Sequence, residues 1–185
     1  IAFAGDTTQS DVFAEATSWR SMKYPFEDVN DIFSGADISF VNLETCVSDR
    51  GTSEKKEGYG FQTLPEFLQV YTEAGIDLVS VANNHVRDFG MDALDDTFSN
   101  LETYGISYIG AGRNITEAEK MIVYETNGVK VGFTALNMIN MDPTWYAKDD
   151  RAGINCIDFA NSEKYLSLIS EYDKHCDVLI VSVHW

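Results

Sequence analysis

The residues best suited to chemistry fall in one short run, "ANNHVRDFG" at 82–90. Asn84 offers an amide oxygen to a metal ion, His85 an imidazole, and Asp88 a carboxylate three positions later. At that spacing the carboxylate can orient the imidazole and raise its basicity. An imidazole held in this way protonates a leaving oxygen or stabilises charge that develops during hydrolysis. Gly90 permits the backbone turn that returns the chain to the next helix. His85 and Asp88 are therefore the candidate catalytic pair, and Asn84 is a candidate ligand.

Three other apolar runs stop in the same manner: "FAGD" at Asp6, "FVNLE" at Asn42 and Glu44, and "VSVHW" at His184. In an open parallel sheet, ligands bind beyond the carboxyl ends of the strands, where residues distant in sequence converge. Asp, Glu, Asn and His are oxygen and nitrogen donors suited to Mn, Fe, Zn or Mg, and no cysteine is among them. Taken singly each has an ordinary use: Asp6 after Gly5 as a turn residue, Glu44 as a solvated charge, His184 as a structural histidine. Four strand ends with the same donor chemistry form a pattern. Asp6, Glu44, Asn84 and His184 are the candidate metal ligands, and Asn42, Asn83 and Arg87 the candidate substrate contacts.

The elements that must position these residues alternate along the chain. Buried strands are expected at "IAFAGD" (1–6), "ADISFVNLE" (36–44), "DLVSVA" (77–82), "SYIGAG" (107–112) and "CDVLIVSVHW" (176–185), with two more at 121–136 around Asn127–Gly128, a strong hairpin signal. Helix is expected at 64–75, on the spacing of Leu64, Phe67, Leu68 and Tyr71 before Gly75. It is also expected at 91–105, with Leu94, Phe98 and Leu101 on one stripe, and at 161–175 with Asn161 or Ser162 as cap. "NITEAEKM" reads as a capped turn, residues 11–19 and 26–33 as helix and loop, and 48–60 as an exposed loop. The alternation predicts an α/β domain with a largely parallel central sheet, antiparallel at the hairpin.

The 185 residues suit a single domain. Thirteen basic against 30 acidic residues leave a net charge of −17, a field that repels nucleic acid and anionic membrane surfaces. Neither is an expected partner. Three cysteines without a CxxC pair argue against a structural zinc cluster, and Cys46 is assigned to packing. His175, beside Lys174 at a helix end, is assigned to the helix dipole. Both ends lie inside apolar runs, so the sequence is expected to be a fragment, incomplete at its C-terminus.

The ordered set "AGD", "VNLE", "ANNHVRDFG" and "VSVHW" resembles the bacterial capsule-synthesis family, the CapA or poly-γ-glutamate synthesis proteins, from residue 1 to 185. "NNHVRDFG" is also similar to the Gly-Asn-His-Glu-x-Asp-x-Gly block of calcineurin-like metallophosphoesterases, particularly their nucleotidase branch. The resemblance implies a metallophosphoesterase-like α/β/β/α sandwich with mixed sheets, of which 1–185 is the N-terminal part of a single domain. By it Asp6 is a first-site ligand, Glu44 stands for the bridging carboxylate, Asn84 is a second-site ligand and His184 another. His85 is the catalytic imidazole paired with Asp88, in a hydrolysis where two divalent ions hold the developing charge.

The chain departs from the phosphoesterase pattern at two blocks. Asp6-Thr7-Thr8 replaces Asp-x-His, and Asn42-Leu43-Glu44 replaces Gly-Asp. The closing Gly-His-x-His block does not occur within the 185 residues, so these residues are expected to bind one ion or none, and the complete domain up to two. Two functions follow: a metal-dependent hydrolase of a phosphoester or an amide-linked polymer, or a non-catalytic protein handling poly-γ-glutamate or another cell-surface polymer during export or anchoring. Beside these two stands a blander third reading, a small-molecule-binding α/β domain without catalysis. A polyanion and a protein of charge −17 repel each other, and only bound cations or a groove near Lys55, Lys56 and Arg87 would offset that locally. The resemblance also implies capsule-synthesis membrane proteins as partners. It places the protein outside the cytoplasm, behind a signal peptide, lipoprotein signal or anchor, where Cys156 and Cys176 could pair.

Overall fold

A computed structural model of the chain describes residues 1–8, 22–55, 59–139, 141–157 and 162–185. The expected helix at 11–19, the Asn161 cap and Lys56 lie outside the described residues. The chain forms two compact units, residues 1–79 with 84–108, and residues 80–83 with 109–185.

The first unit contains β1 (Ala2–Thr7), α1 (Asn30–Ser34), β2 (Ser39–Leu43), β3 (Cys46–Val47), β4 (Gln62–Thr63), α2 (Leu68–Ala74) and α3 (Met91–Thr103), and all but the last residue of β5 (Leu78–Ser80) and β6 (Ser107–Ile109). Four of its strands form one sheet in the order β1-β2-β5-β6, and β3 pairs in parallel with β4. β2 is buried at all five positions, as its unbroken apolar run predicts. β1 is a strand but not a buried one, since Phe3 and Asp6 are exposed. It has β2 as its one neighbour in the sheet order.

A 3-10 turn, Pro65–Phe67, leads into α2, which stops at Gly75 in the left-handed region (φ 82°). Phe67, Leu68, Val70, Tyr71 and Ala74 are buried. Leu64 is not part of that stripe: it is 62% exposed and extended, because a residue before proline is pushed out of the helical region. α3 buries Leu94, Phe98 and Leu101 completely, the stripe expected from a 3.6-residue period.

The second unit contains β7 (Ala111–Gly112), α4 (Ile115–Ala118), β8 (Ile122–Thr126), β9 (Val129–Asn137), β10 (Gly153–Ile154), α5 (Ser162–Tyr172) and β11 (Val178–His184). β8 and β9 pair antiparallel up to Thr126↔Val129, closed by Asn127 (φ 52°) and Gly128 (φ 77°). β11 runs parallel to β9, from Val178↔Val131 to His184↔Asn137, and β7 pairs antiparallel with β10. Asn114 caps α4, its side chain accepting from the Glu117 N–H at 3.0 Å. The expected single strand "SYIGAG" is instead two, in different sheets. Gly110 divides them at φ 89°, where a Cβ would lie 2.4 Å from the Ala82 Cβ and 2.9 Å from the Ala135 Cβ.

All three thiols are free, Cys46 and Cys156 buried and Cys176 half-buried. Burial pushes both buried thiols up to about 12. Among the described residues no helix is long and apolar enough to cross a membrane.

Candidate functional site

The parallel register of β1 and β2 sets Asp6 opposite Asn42 and Thr7 opposite Leu43, after an irregularity between Phe3 and Asp6. Asn42 Nδ2 donates to Asp6 Oδ1 at 2.7 Å, so its amide holds a candidate ligand in place. Thr7 Oγ1 donates to the Asn42 carbonyl at 2.8 Å, and the Glu44 N–H donates to the Thr7 carbonyl at 2.9 Å. Two strand tips are thus stitched together with Asp6 and Glu44 at the same end of the sheet.

The turn at 83–90 is built by local backbone bonds, Asp88 N–H to His85 O at 3.1 Å and Gly90 N–H to Arg87 O at 3.0 Å. Gly90 (φ 91°) then opens α3. Asp88 is fully buried, and its Oδ2 lies 2.6 Å from His85 Nδ1. A carboxylate only accepts, so Nδ1 carries the proton of that bond. The same oxygen accepts the Phe61 N–H at 2.9 Å, while Lys55 Nζ lies 3.6 Å from Oδ1. The other imidazole nitrogen, Nε2, faces Glu44 Oε1 at 3.8 Å.

Glu44 is half-buried, and that burial pushes its carboxyl up to about 7. The negative charges of Asp6 and Asp88 act in the same direction, and His85 pulls the other way. A group that resists ionising because of burial, and then because of neighbouring carboxylates, is one a divalent cation would relieve, and oxygen donors of this kind fit such an ion. A cavity of about 560 Å³ opens beside Asp6, with Thr7, Tyr24, Phe26, Phe67 and Tyr71 among its walls. Tyr71 is an uncharged part of that wall, its phenol pushed up to about 12 by burial.

Of the residues expected from sequence, the first unit brings together Asp6, Asn42, Glu44, His85 and Asp88. Asn84 is half-buried next to His85, and Arg87 is buried with Nη2 3.9 Å from Glu54 Oε2. Asn83 and His184 belong to the second unit. Asn83 is fully buried, and His184 ends β11, its carbonyl accepting from the Met138 N–H at 2.8 Å. The sequence reading missed Phe61, whose ring lies on the His85 imidazole with centroids 4.1 Å apart and planes 23° apart. An apolar residue in a polar loop, 24 positions before its histidine, carries no spacing signal.

Solved structures share this architecture. A phosphatase from Mycoplasma pneumoniae superposes with a TM-score of 0.52 at 16% identity, covering 98% of this chain and 53% of its own. A putative 5'-nucleotidase from Staphylococcus aureus does so with a TM-score of 0.53 at 14% identity, covering 88% and 31%. At such identities the likeness is one of fold, and the chain has a metallophosphoesterase-like α/β fold with mixed sheets. Within that class the family is specific: residues 1–185 match the bacterial capsule synthesis protein family PGA_cap, and the chain belongs to it. The PGA biosynthesis protein CapA of Bacillus subtilis (strain 168) is 27% identical over 189 residues, covering 100% of this chain and 48% of CapA. The chain thus spans about half the length of that relative.

Proposed function

We propose that this capsule-synthesis-type protein is a metal-dependent hydrolase whose site is the group Asp6, Glu44, His85 and Asp88, acting on a phosphoester or on the amide links of a polymer such as poly-γ-glutamate. One observation carries the reading: Asp88 clasps His85 Nδ1 at 2.6 Å while Nε2 faces Glu44 at 3.8 Å. That arrangement fixes the imidazole tautomer and points Nε2 at the carboxyl end of the sheet.

Asp6, Glu44 and Asn84 would hold a divalent ion, Mn, Fe, Zn or Mg, with Arg87, Asn42 and Asn83 near substrate. His184 joins the ligand set on its place at a strand end and on the family resemblance. Such an ion, when bound, supplies Lewis acidity and an acidified water. Asp88 keeps the Nδ1 proton in place and stabilises the imidazolium. His85 Nε2 then delivers a proton to the leaving oxygen or nitrogen. Glu44, which holds a proton up to about 7, must release it before it can ligate. The relative's name, a PGA biosynthesis protein, supports the polymer as substrate. We also place the working protein outside the cytoplasm, anchored near the membrane proteins of capsule synthesis.

The test is turnover by the full-length protein loaded with manganese, on generic phosphoesters and on poly-γ-glutamate, with His85→Ala beside it. A metal-dependent rate that falls by roughly 10²–10⁴-fold in the variant is the expected result. Polymer binding without turnover in either form would replace the hydrolase with the handling role.

A further inference from the structure

We propose that Phe61 is a positioning residue for His85, fixing the tilt of the imidazole plane as Asp88 fixes its tautomer. The proposal rests on the hydrolase reading above and deepens it.

The bond from Nδ1 to Asp88 sets which nitrogen carries the proton, but rotation about Cβ–Cγ, within the slack of that bond, still tilts the imidazole plane. That rotation swings Nε2, the nitrogen meant to face the reacting atoms, through an arc. The Phe61 ring blocks it, because it lies nearly parallel to the imidazole with centroids 4.1 Å apart.

Phe61 is itself held from two sides. Its carbonyl accepts from the Cys46 N–H at 3.2 Å and from the Cys46 thiol at 3.2 Å, at the start of the β3–β4 ladder. Its own N–H donates at 2.9 Å to Asp88 Oδ2, the oxygen that receives His85 Nδ1. Behind Cys46, the Val47 N–H donates at 2.9 Å to Thr97 Oγ1, and Asn100 Nδ2 donates at 2.9 Å to the Val47 carbonyl, tying the ladder to α3. One residue therefore meets both members of the dyad, the ring on the histidine and the backbone on the aspartate, and is anchored to a helix that neither member belongs to.

The substitutions separate ring from backbone. Phe61→Leu keeps the N–H and removes the flat face, and Phe61→Trp keeps both. In the full-length manganese-loaded protein, Phe61→Leu should lower kcat about 10-fold with KM little changed, the range typical of residues that orient a catalytic group. Phe61→Trp should recover most of that loss, and Phe61→Leu should add nothing in a His85→Ala background. An equal loss in that background, or tryptophan no better than leucine, overturns the proposal. A second readout needs no turnover: carbon-13 spectra of labelled histidine, the His85 signal identified by its disappearance in His85→Ala. Its ring protons, shifted by the Phe61 ring current, should move in Phe61→Leu and hold in Phe61→Trp. Signals unmoved in Phe61→Leu overturn the proposal. Absence of hydrolysis in the wild type would remove the proposed function and leave Phe61 to be judged by these spectra.

Discussion

The chain reverses sharply at His85–Gly90 and again at Asn127–Gly128, and the two reversals are held by opposite means. The second is self-sufficient: two residues adopt positive φ, and the flanking strands close the ladder at Thr126↔Val129. A Cβ added at Gly128 would meet nothing within 4 Å, so the turn lies in open space at that position. The first depends on residues far away in sequence. Asp88 is bonded by the Phe61 N–H 27 positions earlier, its carbonyl by the Glu54 N–H at 2.6 Å, and His85 reaches Glu44 across 41 positions. A turn made by local chemistry can sit anywhere on a surface, whereas a turn made by remote bonds is fixed relative to other strand tips. The second kind is what a site requires.

The largest effect should follow removal of the remote anchor. Asp88→Ala removes the acceptor of the Phe61 N–H and the carboxylate at His85 Nδ1, a loss of about 3 kcal/mol in unfolding free energy measured by denaturant titration. Turnover should fall to the level of His85→Ala, measured on the same substrates. A smaller and purely conformational effect is expected at the hairpin. Gly128→Ala places an ordinary residue at φ 77° and should cost about 1 kcal/mol. Turnover per folded molecule should be unchanged, and a loss there would erase the contrast between the two turns.

The smallest effect is one of pH. Glu44 titrates at about 7 in the folded chain against an ordinary 4.5, so the folded form holds the proton more tightly. The stability this gives is fully present below about 4.5 and is lost as pH rises through about 7. Thermal midpoints of metal-free protein should therefore fall across that window more in the wild type than in Glu44→Gln. Manganese should reverse the difference at the upper end, because the ion needs the carboxylate that the proton occupied. Identical midpoint curves for the two proteins would remove Glu44 from the cluster.

The same contrast explains what could be read in advance. Asn127–Gly128 and the Leu94, Phe98 and Leu101 stripe are local signals, and both appear where expected. His85 and Asp88 were legible because their three-residue spacing is itself local. Asp6 and Glu44 became legible only through the rule that ligands gather at strand ends, and the register Asp6↔Asn42 supplies the reason they meet. Phe61 was not legible, since its role is set by a ladder with Cys46 and not by any period. Leu64 was misread because Pro65 overrides the helical spacing around it. "SYIGAG" was misread because Gly110 looks like one more small residue in an apolar run. Only the nearness of Ala82 and Ala135 reveals why the chain must change sheets there.

The state of the three thiols has a practical consequence. Cys46 and Cys156 are buried, and burial pushes both thiols up to about 12, so thiolate is scarce at either position at neutral pH. Alkylating reagents will pass over both. Cys176, half-buried just before β11, is left as the natural handle in these residues for a fluorophore or spin label. A probe placed there would report on the chain without editing Asp6, Glu44, His85 or Phe61.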